Sequence, residues 1–300
     1  IYRVDNNSSE QTTKNLLKQN KLNHNRKMKM LLIILMQVFA VKAQDAGDFE
    51  LGDYKGALIG DLVTRSNDVT GTLYALGPNL LYLENFNFDG ANDFSFFYIG
   101  CRRASPEPSK EGLRLLHSKQ DDLTPVETAV NQGLLIPFPF RKYVSLDHFA
   151  WFSLWDEQNE VSLADISIPE DFEEPRPYIL SADAFTSEDA RVNAVRIIMR
   201  TARNVTIQSF TFDGTGLDAN FYAGTGDSLT ATSGELVTVE EENDSTLGIY
   251  DRATLTLRLP EDLTLLDADW IIVTCPQCTT PFAQIELPDY RNLPADVQIF

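Results

Sequence analysis

The chain has few of the residues from which catalytic and metal centres are usually built. Its 300 residues include only three cysteines and three histidines. The histidines, at positions 24, 117 and 148, are scattered, and two neighbouring cysteines without histidine supply only half of a zinc site. The sequence also has no nucleophile elbow, phosphate-binding loop or dinucleotide fingerprint. It therefore indicates no particular reaction and no firm cofactor, and a protein that is not an enzyme is favoured.

Basic residues are scarce as well. The chain has 25 lysines and arginines against 44 acidic residues, which gives a net charge of −19. Eight of the basic residues but only two of the acidic ones lie in residues 1–43, so the remainder carries 17 basic and 42 acidic residues, a net charge of −25. So acidic a surface repels nucleic acid and anionic membranes, and neither is expected as a partner.

No apolar run is long enough for a confident membrane span. The most apolar segment, residues 31–41, is flanked by lysines and followed by the small residue Ala43. This pattern predicts a signal peptide over residues 28–43, with a membrane anchor as the alternative. Residues 1–27 are polar and rich in Asn and Lys, which is typical of a disordered extension or an untranslated leader. The mature chain is predicted to be secreted and extracellular.

What the sequence does contain is an internal repeat. Phe86-Asn87-Phe88-Asp89-Gly90 recurs 124 positions later as Phe210-Thr211-Phe212-Asp213-Gly214, and residues 151–169 recur at 270–288 with an offset of 119. Both copies consist of short alternating or fully apolar segments separated by turn residues, which predicts strands. The fold class is therefore all-β, with two tandem β-sandwich-like modules of about 110–120 residues each.

The repeat also predicts the domain boundaries. The first module is expected over residues 50–170 and the second over 191–289. An acidic, proline-containing linker over 171–190 separates them, and residues 290–300 form a tail. Within each module we expect two successive hairpins, the second of them turning at the Asp-Gly pair because Asp-Gly favours tight turns.

One pair of cysteines has the spacing of a possible redox site. Cys275 and Cys278 form a Cys-x-x-Cys, a spacing that closes a small reducible disulfide. No helix is expected after Cys275, so no helix dipole is available to stabilise a thiolate. The open alternatives are a structural disulfide within the pair or from one of its members to Cys101, a redox-active pair, and a metal site. Intermolecular pairing of Cys101 is a further hypothesis.

The loop after each Phe-x-Phe motif is rich in oxygen ligands. Asp89, Asn92 and Asp93 lie together in the first copy, and Asp213 and Asp218 in the second. Hard cations such as Ca²⁺ prefer such ligands, so calcium binding is one hypothesis. The alternative is turn chemistry, in which Asp side chains cap backbone N–H groups.

Aromatic residues and glycosylation sequons complete the candidate sites. The aromatic residues of the first copy invite a glycan-binding or haem interpretation, although alternation places about half of them in a core; they are Phe86, Phe88, Phe94, Phe96, Phe97, Tyr98, Trp151 and Trp155. Only His117 and His148 are available there as haem ligands. Asn204 and Asn243 open glycosylation sequons.

In combination, these motifs resemble the DM-thirteen (DM13) domain family of extracellular modules. The shared features are the Phe-x-Phe-Asp-Gly turn, an Asp-aromatic strand ending in Gly, a Trp-led apolar strand leading to Cys, and a closing Ile/Leu-Pro. The resemblance covers about residues 50–170 and 186–289, without a recognisable DOMON or cytochrome segment. It implies a possible redox or electron-transfer activity through a hallmark cysteine. That cysteine falls on Cys275, whereas the first module has Asp156 there.

The leading functional hypothesis is a non-catalytic binding or extracellular-matrix role, with an extracellular protein or a matrix polysaccharide as partner. Redox or electron transfer through Cys275, with Cys278, is the alternative, and glycan binding is a further one.

Overall fold

The computed structural model describes residues 49–66, 68–117, 125–137, 145–187, 191–240, 246–290 and 292–299. The predicted signal peptide and the residues before it lie outside these ranges. Within them the regular structure is β-strand apart from two short 3₁₀ turns, so the predicted all-β fold class is confirmed. No helix in this part of the chain is long and apolar enough to cross a membrane.

The strands follow one another closely along the chain. The first half contains β1 (Phe49–Leu51), β2 (Ala57–Asp61), β3 (Val63–Thr64), β4 (Thr70–Gly77), β5 (Leu80–Phe88), β6 (Ser95–Cys101), β7 (Leu113–Leu115), β8 (Ala129–Pro137), a 3₁₀ turn (Leu146–His148), β9 (Phe149–Asp156) and β10 (Val161–Ser167). The second half contains β11 (Tyr178–Ile179), a 3₁₀ turn (Ala182–Ala184), β12 (Phe185–Ser187), β13 (Val192–Asn193), β14 (Arg196–Met199), β15 (Asn204–Phe212), β16 (Asn220–Gly224), β17 (Glu235–Val239), β18 (Tyr250–Arg258), β19 (Trp270–Thr274), β20 (Ala283–Glu286) and β21 (Val297–Ile299).

The first module is a sandwich of two antiparallel sheets. One sheet has the strand order β2-β4-β5-β8 and the other β3-β10-β9-β6-β7. Alternate residues of both sheets meet in one apolar core that includes Phe86 from β5, Phe97 from β6 and Phe152 from β9, all fully buried. Burial of these large aromatic faces supplies much of the driving force for folding.

The second module repeats this topology strand for strand. Its orders are β11-β14-β15-β18 and β12-β20-β19-β16-β17, and β13 adds a further pairing to β15. Here β17 pairs with both β16 and β18, which joins the two sheets along one edge into a half-open barrel. A separate core fills this module, with Phe210, Phe212 and Phe221 among its largest members.

Irregularities of the backbone are repeated as well. Asn85 and Ser209, 124 positions apart, both have positive φ, at 51° and 55°. Each lies at a register shift, where β5 and β15 bulge against their partner strands β8 and β18. The residues that follow these strands, Gly90 and Gly214, have φ values of 71° and 75°, a region that glycine occupies without strain. Shared bulges of this kind support a duplicated ancestral module.

The first predicted hairpin is confirmed and the second is wrong. β4 and β5 pair directly across the Gly77–Leu80 turn. After Asp89-Gly90, however, the chain crosses to the opposite sheet, where β6 pairs with β7 and β9. Both strands still point into one core, since the rings of Phe86 and Phe97 lie 5.5 Å apart. Alternation in the sequence therefore predicts the buried face but does not distinguish a neighbouring strand from one in the facing sheet.

The segment predicted as a linker contributes strands to the second module. β11 and β12 lie within it and form the edges of the two sheets. Glu174, which is buried, accepts a hydrogen bond from the Leu146 backbone N–H at 2.6 Å and pairs with Arg176 at 2.7 Å. These contacts tie the start of the segment to the first module.

The tail packs against both modules. β21 pairs with β1 at the beginning of the described chain, and the Ala295 N–H donates to the Leu76 carbonyl of the first module at 2.7 Å. The Tyr290 ring stacks on that of Tyr178 at 4.4 Å. The Pro294 carbonyl accepts a hydrogen bond from Ala202 of the second module. Residues near the end of the chain therefore connect the two modules.

Candidate functional site

A tryptophan at or near the start of one buried strand organises the same corner of each module. Trp151 of β9 packs flat over Gly100 and Gly112, and a Cβ atom on Gly100 would lie only 1.9 Å from the indole Cε2. Its Nε1 donates to the Ser105 carbonyl at 2.7 Å, which holds the following loop against the ring. This arrangement explains why both modules have a glycine at or next to the end of this strand.

The second module builds the corner in the same way. Trp270 of β19 lies over Gly224 and Gly234, where an added Cβ would approach the indole to 2.5 and 2.7 Å. Its Nε1 donates to the Gly226 carbonyl at 2.8 Å. Both tryptophans are 2% exposed, so their role is structural.

The buried strand that begins with Trp270 ends at the Cys-x-x-Cys. Cys275 and Cys278 form a disulfide, which is the pairing within the motif. Cys275 is buried at 7% exposure and Cys278 is half-buried, and the Cys278 N–H donates to the Cys275 carbonyl at 3.0 Å. In the described residues that follow, the chain turns directly into β20 without a helix. Cys101, at the end of β6, is exposed and free.

The first module closes the equivalent turn with hydrogen bonds. The offset of 119 places Asp156 at the position of Cys275 and Asn159 at that of Cys278. The Asn159 side-chain amide donates to Asp156 Oδ2 at 2.7 Å, and the backbone N–H groups of Gln158 and Asn159 donate to Oδ1 at 2.8 and 3.1 Å. Sequence reasoning identified Asp156 but missed Asn159, although the same offset would have found it.

Asp156 also fixes the loop that follows the Phe-x-Phe motif, because the Asn92 side-chain amide donates to its Oδ2. The carboxylate is 1% exposed. Burial alone would raise its pKa, but the hydrogen bonds from Asn159, Asn92 and the turn backbone favour the charged form and hold the pKa of Asp156 below its ordinary value.

This lowered pKa predicts a specific loss of stability in acid. A carboxyl group whose folded-state pKa is below the unfolded value of about 3.9 contributes stability above that pH and loses it as the pH falls through the folded-state pKa. We therefore expect Asp156→Asn to weaken the acid dependence of the thermal midpoint, measured from about pH 5 down to about pH 2. Asp251→Asn, at an exposed site, is the control. Superimposable pH profiles for wild type and Asp156→Asn would contradict this assignment.

The predicted calcium ligands of the first module are engaged in local contacts. Asp89 Oδ1 accepts the Ala91 N–H at 3.0 Å, which is turn chemistry, and Asn92 binds Asp156. Asp93 is exposed beside them.

Among the predicted calcium ligands of the second module, Asp213 is also engaged in contacts within its own loop. Asp213 Oδ1 accepts the N–H and the hydroxyl of Thr215 at 2.9 and 2.7 Å. Asp218 has a positive φ of 57°. Across the described ranges, no three His, Cys, Asp or Glu side chains are grouped to hold a metal ion. Calcium binding by these loops stays a prediction.

The aromatic residues of the first module are mostly internal. Of the eight named from the sequence, seven are buried and Phe94, at 50% exposure, is the exception. Phe96, Tyr98, Trp151 and Trp155 form a small cluster, separate from the main core, on the outer face of the five-stranded sheet. There burial and a hydrogen bond to Glu157 raise the pKa of Tyr98 to about 12.

The two histidines considered as haem ligands lie in different settings. His117 is buried, with its ring edge-on to Phe97 at 5.7 Å. His148 is exposed and contacts Asp147 at 2.7 Å.

The two glycosylation sequons differ in what the structure shows. Asn204 begins β15, and its Nδ2, the atom that would carry a glycan, donates to Asp296 Oδ1 at 3.0 Å. Asn243 lies outside the described residues. Glycosylation at Asn204 would require this hydrogen bond to break.

Comparison with known proteins identifies the repeated unit. The family model described as "Electron transfer DM13" matches residues 61–168 and 185–287. Two relatives from Drosophila melanogaster, Protein Skeletor isoforms B/C and isoforms D/E, are each 30% identical over 247 residues, or 82% of this chain. The matched region covers 30% and 16% of those proteins, so the chain spans less than a third of their length. No solved structure matches. Because the family model covers most of the chain, and does so in two copies that coincide with the repeated β-topology, the protein belongs to the DM13 family.

Proposed function

We propose that the protein is secreted and that its tandem DM13 modules have a non-catalytic binding role in the extracellular space, with an extracellular protein or matrix polysaccharide as partner. The observation that carries this proposal is the equivalence of the two turns. Hydrogen bonds between Asp156 and Asn159 close in one module the turn that Cys275 and Cys278 close in the other. Because hydrogen bonds close the corresponding turn of the first module, we interpret the disulfide of the second module as a structural element of its turn.

The surroundings of the disulfide support a structural role. Reactive thiolates are usually stabilised by a helix N-terminus or by nearby basic groups. Cys275 instead follows a buried strand, and residues 268–287 contain no Lys, Arg or His. A stable disulfide also fits an oxidising compartment, in agreement with the signal peptide that the sequence predicts.

Electron transfer by the same pair is the second candidate. It is favoured by the description of the matched family and by the partial exposure of Cys278, which leaves one sulfur open to attack by an external dithiol. Such a dithiol would deliver two electrons and two protons, break the bond between the sulfurs and itself become a disulfide. The first module, with Asp156 and Asn159, would take no part in this reaction.

The reduction potential of Cys275–Cys278 separates these functions. We expect a value below about −300 mV, as for structural disulfides, whereas redox proteins lie between about −270 and −120 mV. The secreted chain with Cys101→Ser, which removes the third thiol, would be equilibrated in dithiothreitol buffers, alkylated and analysed by mass spectrometry. A potential in the range of the redox proteins would contradict the structural assignment and support electron transfer.

The matched control for the structural assignment exchanges the chemistry of the turn. The double substitution Cys275→Asp with Cys278→Asn copies the first module's turn. If the disulfide serves only to close the turn, this variant should keep its fold intact.

A further inference from the structure

The first module has a polar groove on the outer face of its five-stranded sheet. The groove encloses about 480 Å³ and is lined by Arg65, Glu107, Trp151, Ser162, Asp165, Ser167 and two prolines of the loop over Trp151. Small-molecule sites generally occupy about 300–1,000 Å³ and contain a few convergent polar groups. By volume this open groove falls within the range of small-molecule sites, and its lining is more polar than is usual for them.

An ion pair forms the polar wall of the groove. Arg65 donates to both carboxylate oxygens of Asp165, from Nε at 2.9 Å and from Nη2 at 3.0 Å. The Ser162 hydroxyl donates to Asp165 Oδ2 at 2.9 Å and is itself 2.9 Å from the Ser153 hydroxyl. Asp165 is 8% exposed, whereas the Arg65 side chain is 54% exposed. The carboxylate therefore holds the guanidinium in place, and neither of the two bonds uses Nη1.

The loop over Trp151 supplies two prolines and Glu107 to the groove and is fixed by the Trp151 corner. Pro106 and Pro108 belong to the loop that the Trp151 Nε1–Ser105 hydrogen bond holds in position. Trp155 does not line the groove, but in the β9–β10 ladder it lies opposite Ser162, which does. Its indole is 6% exposed, and its Nε1 has no hydrogen-bond partner within the described part of the chain. A buried donor left without a partner is costly, so the sheet carries an unsatisfied polar atom next to the groove wall.

The second module has no equivalent of this polar wall. The offset of 119 replaces Asp165 by Gln284, Ser162 by Pro281 and Ser153 by Ile272. The shared fold thus does not require the Arg65–Asp165 wall, and these polar side chains are particular to the first module.

We infer that the groove binds a short uncharged glycan. Neighbouring sugar hydroxyls both donate and accept hydrogen bonds, so they match a guanidinium and a carboxylate held side by side, while the C–H face of a sugar ring packs on Pro106 and Pro108. An anionic ligand would compete with Asp165 for Arg65 and would meet Glu107 and a secreted chain whose residues 44–300 carry a net charge of −25. This inference rests on the proposed binding function and names its ligand class and its site.

The test uses the secreted chain and a panel of oligosaccharides. Uncharged hexasaccharides of glucose, mannose and N-acetylglucosamine, with a heparin hexasaccharide as the charged comparison, would be titrated by calorimetry. We expect at least one uncharged probe to bind, with at least tenfold weaker binding after Arg65→Gln or after Ser167→Tyr, which fills the groove from an exposed position. Lys110→Gln removes an exposed cation paired with Glu160 outside the groove and should bind as the wild type does.

Three results would overturn the inference. They are binding of heparin alone, binding that survives both groove substitutions, and the absence of binding by any uncharged probe at millimolar concentration. Thermal melting of each variant shows whether a loss of binding reflects unfolding, and Ser167→Tyr provides a groove variant that keeps the Arg65–Asp165 pair. The proposed non-catalytic function is tested separately, by the reduction potential of Cys275–Cys278. Absence of glycan binding and a redox-active cysteine pair would therefore be distinguishable results.

Discussion

Replacing Gly100 with alanine is expected to lower the free energy of unfolding by about 3 kcal/mol, at the upper end of the usual cost of overpacking a core. The new methyl carbon would lie 1.9 Å from Trp151 Cε2 and 2.1 Å from Nε1, and the same indole also lies over Gly112 and is hydrogen-bonded to Ser105 of the loop after β6. Elsewhere a Gly-to-Ala change often stabilises a protein by restricting its unfolded chain. Here the steric clash exceeds that gain, because the contacts are with a buried indole ring whose Nε1 is held by the Ser105 carbonyl.

Urea denaturation at neutral pH would measure the effect, with two further variants for comparison. Gly224→Ala should also destabilise, because its Cβ would lie 2.5 Å from Trp270. Gly52→Ala is the matched control, since Gly52 is exposed and has no atom within 4 Å of the added carbon. Equal stability of Gly100→Ala and Gly52→Ala would show that the tryptophan corner is not rigid.

Removal of the Asp296 carboxylate is the second change with a large expected effect, a loss of about 3 kcal/mol. Asp296 lies in the tail and is 9% exposed. Its Oδ2 accepts Arg258 Nη2 at 2.7 Å, and its Oδ1 accepts Asn204 Nδ2 at 3.0 Å. In Asp296→Ala both donors lose this partner in a largely buried place. The resulting loss of stability is larger than the net contribution of the ion pair itself, because the donors remain shielded from water. The tail would also lose an attachment to the second module.

Chemical denaturation would measure this loss, and amide exchange of β1 would report release of the tail through its pairing with β21. Asp251→Ala is the control, because Asp251 is exposed and only 3.8 Å from its neighbour Arg252. Such exposed pairs contribute at most about 1 kcal/mol. A cost for Asp296→Ala no larger than for the control would mean that the tail does not depend on this carboxylate.

Several features of the candidate site were accessible from the sequence. The repeat offsets predicted the all-β class and the correspondence between Asp156 and Cys275, and the motifs predicted the family. These features depend on local pattern: strands alternate, turns require glycine or aspartate, and a duplicated unit keeps its spacing. The offset that aligned Asp156 with Cys275 also aligns Asn159 with Cys278. The sequence alone assigns Asn159 no role, because its hydrogen bond to Asp156 is visible only in the folded turn.

Other features depended on the tertiary structure. Alternation could not show that β5 and β6 belong to opposite sheets, because strands of both sheets point toward one core. Three cysteines left the disulfide open until the strands placed Cys101 at the end of β6 and Cys278 beside Cys275. The Arg65–Asp165 pair joins residues 100 positions apart, and only the pairing of β3 with β10 brings them together. Sequence pattern thus determined the repeated module, whereas long-range strand pairing decided which side chains meet, since contacts between distant segments leave no periodic signal in the chain.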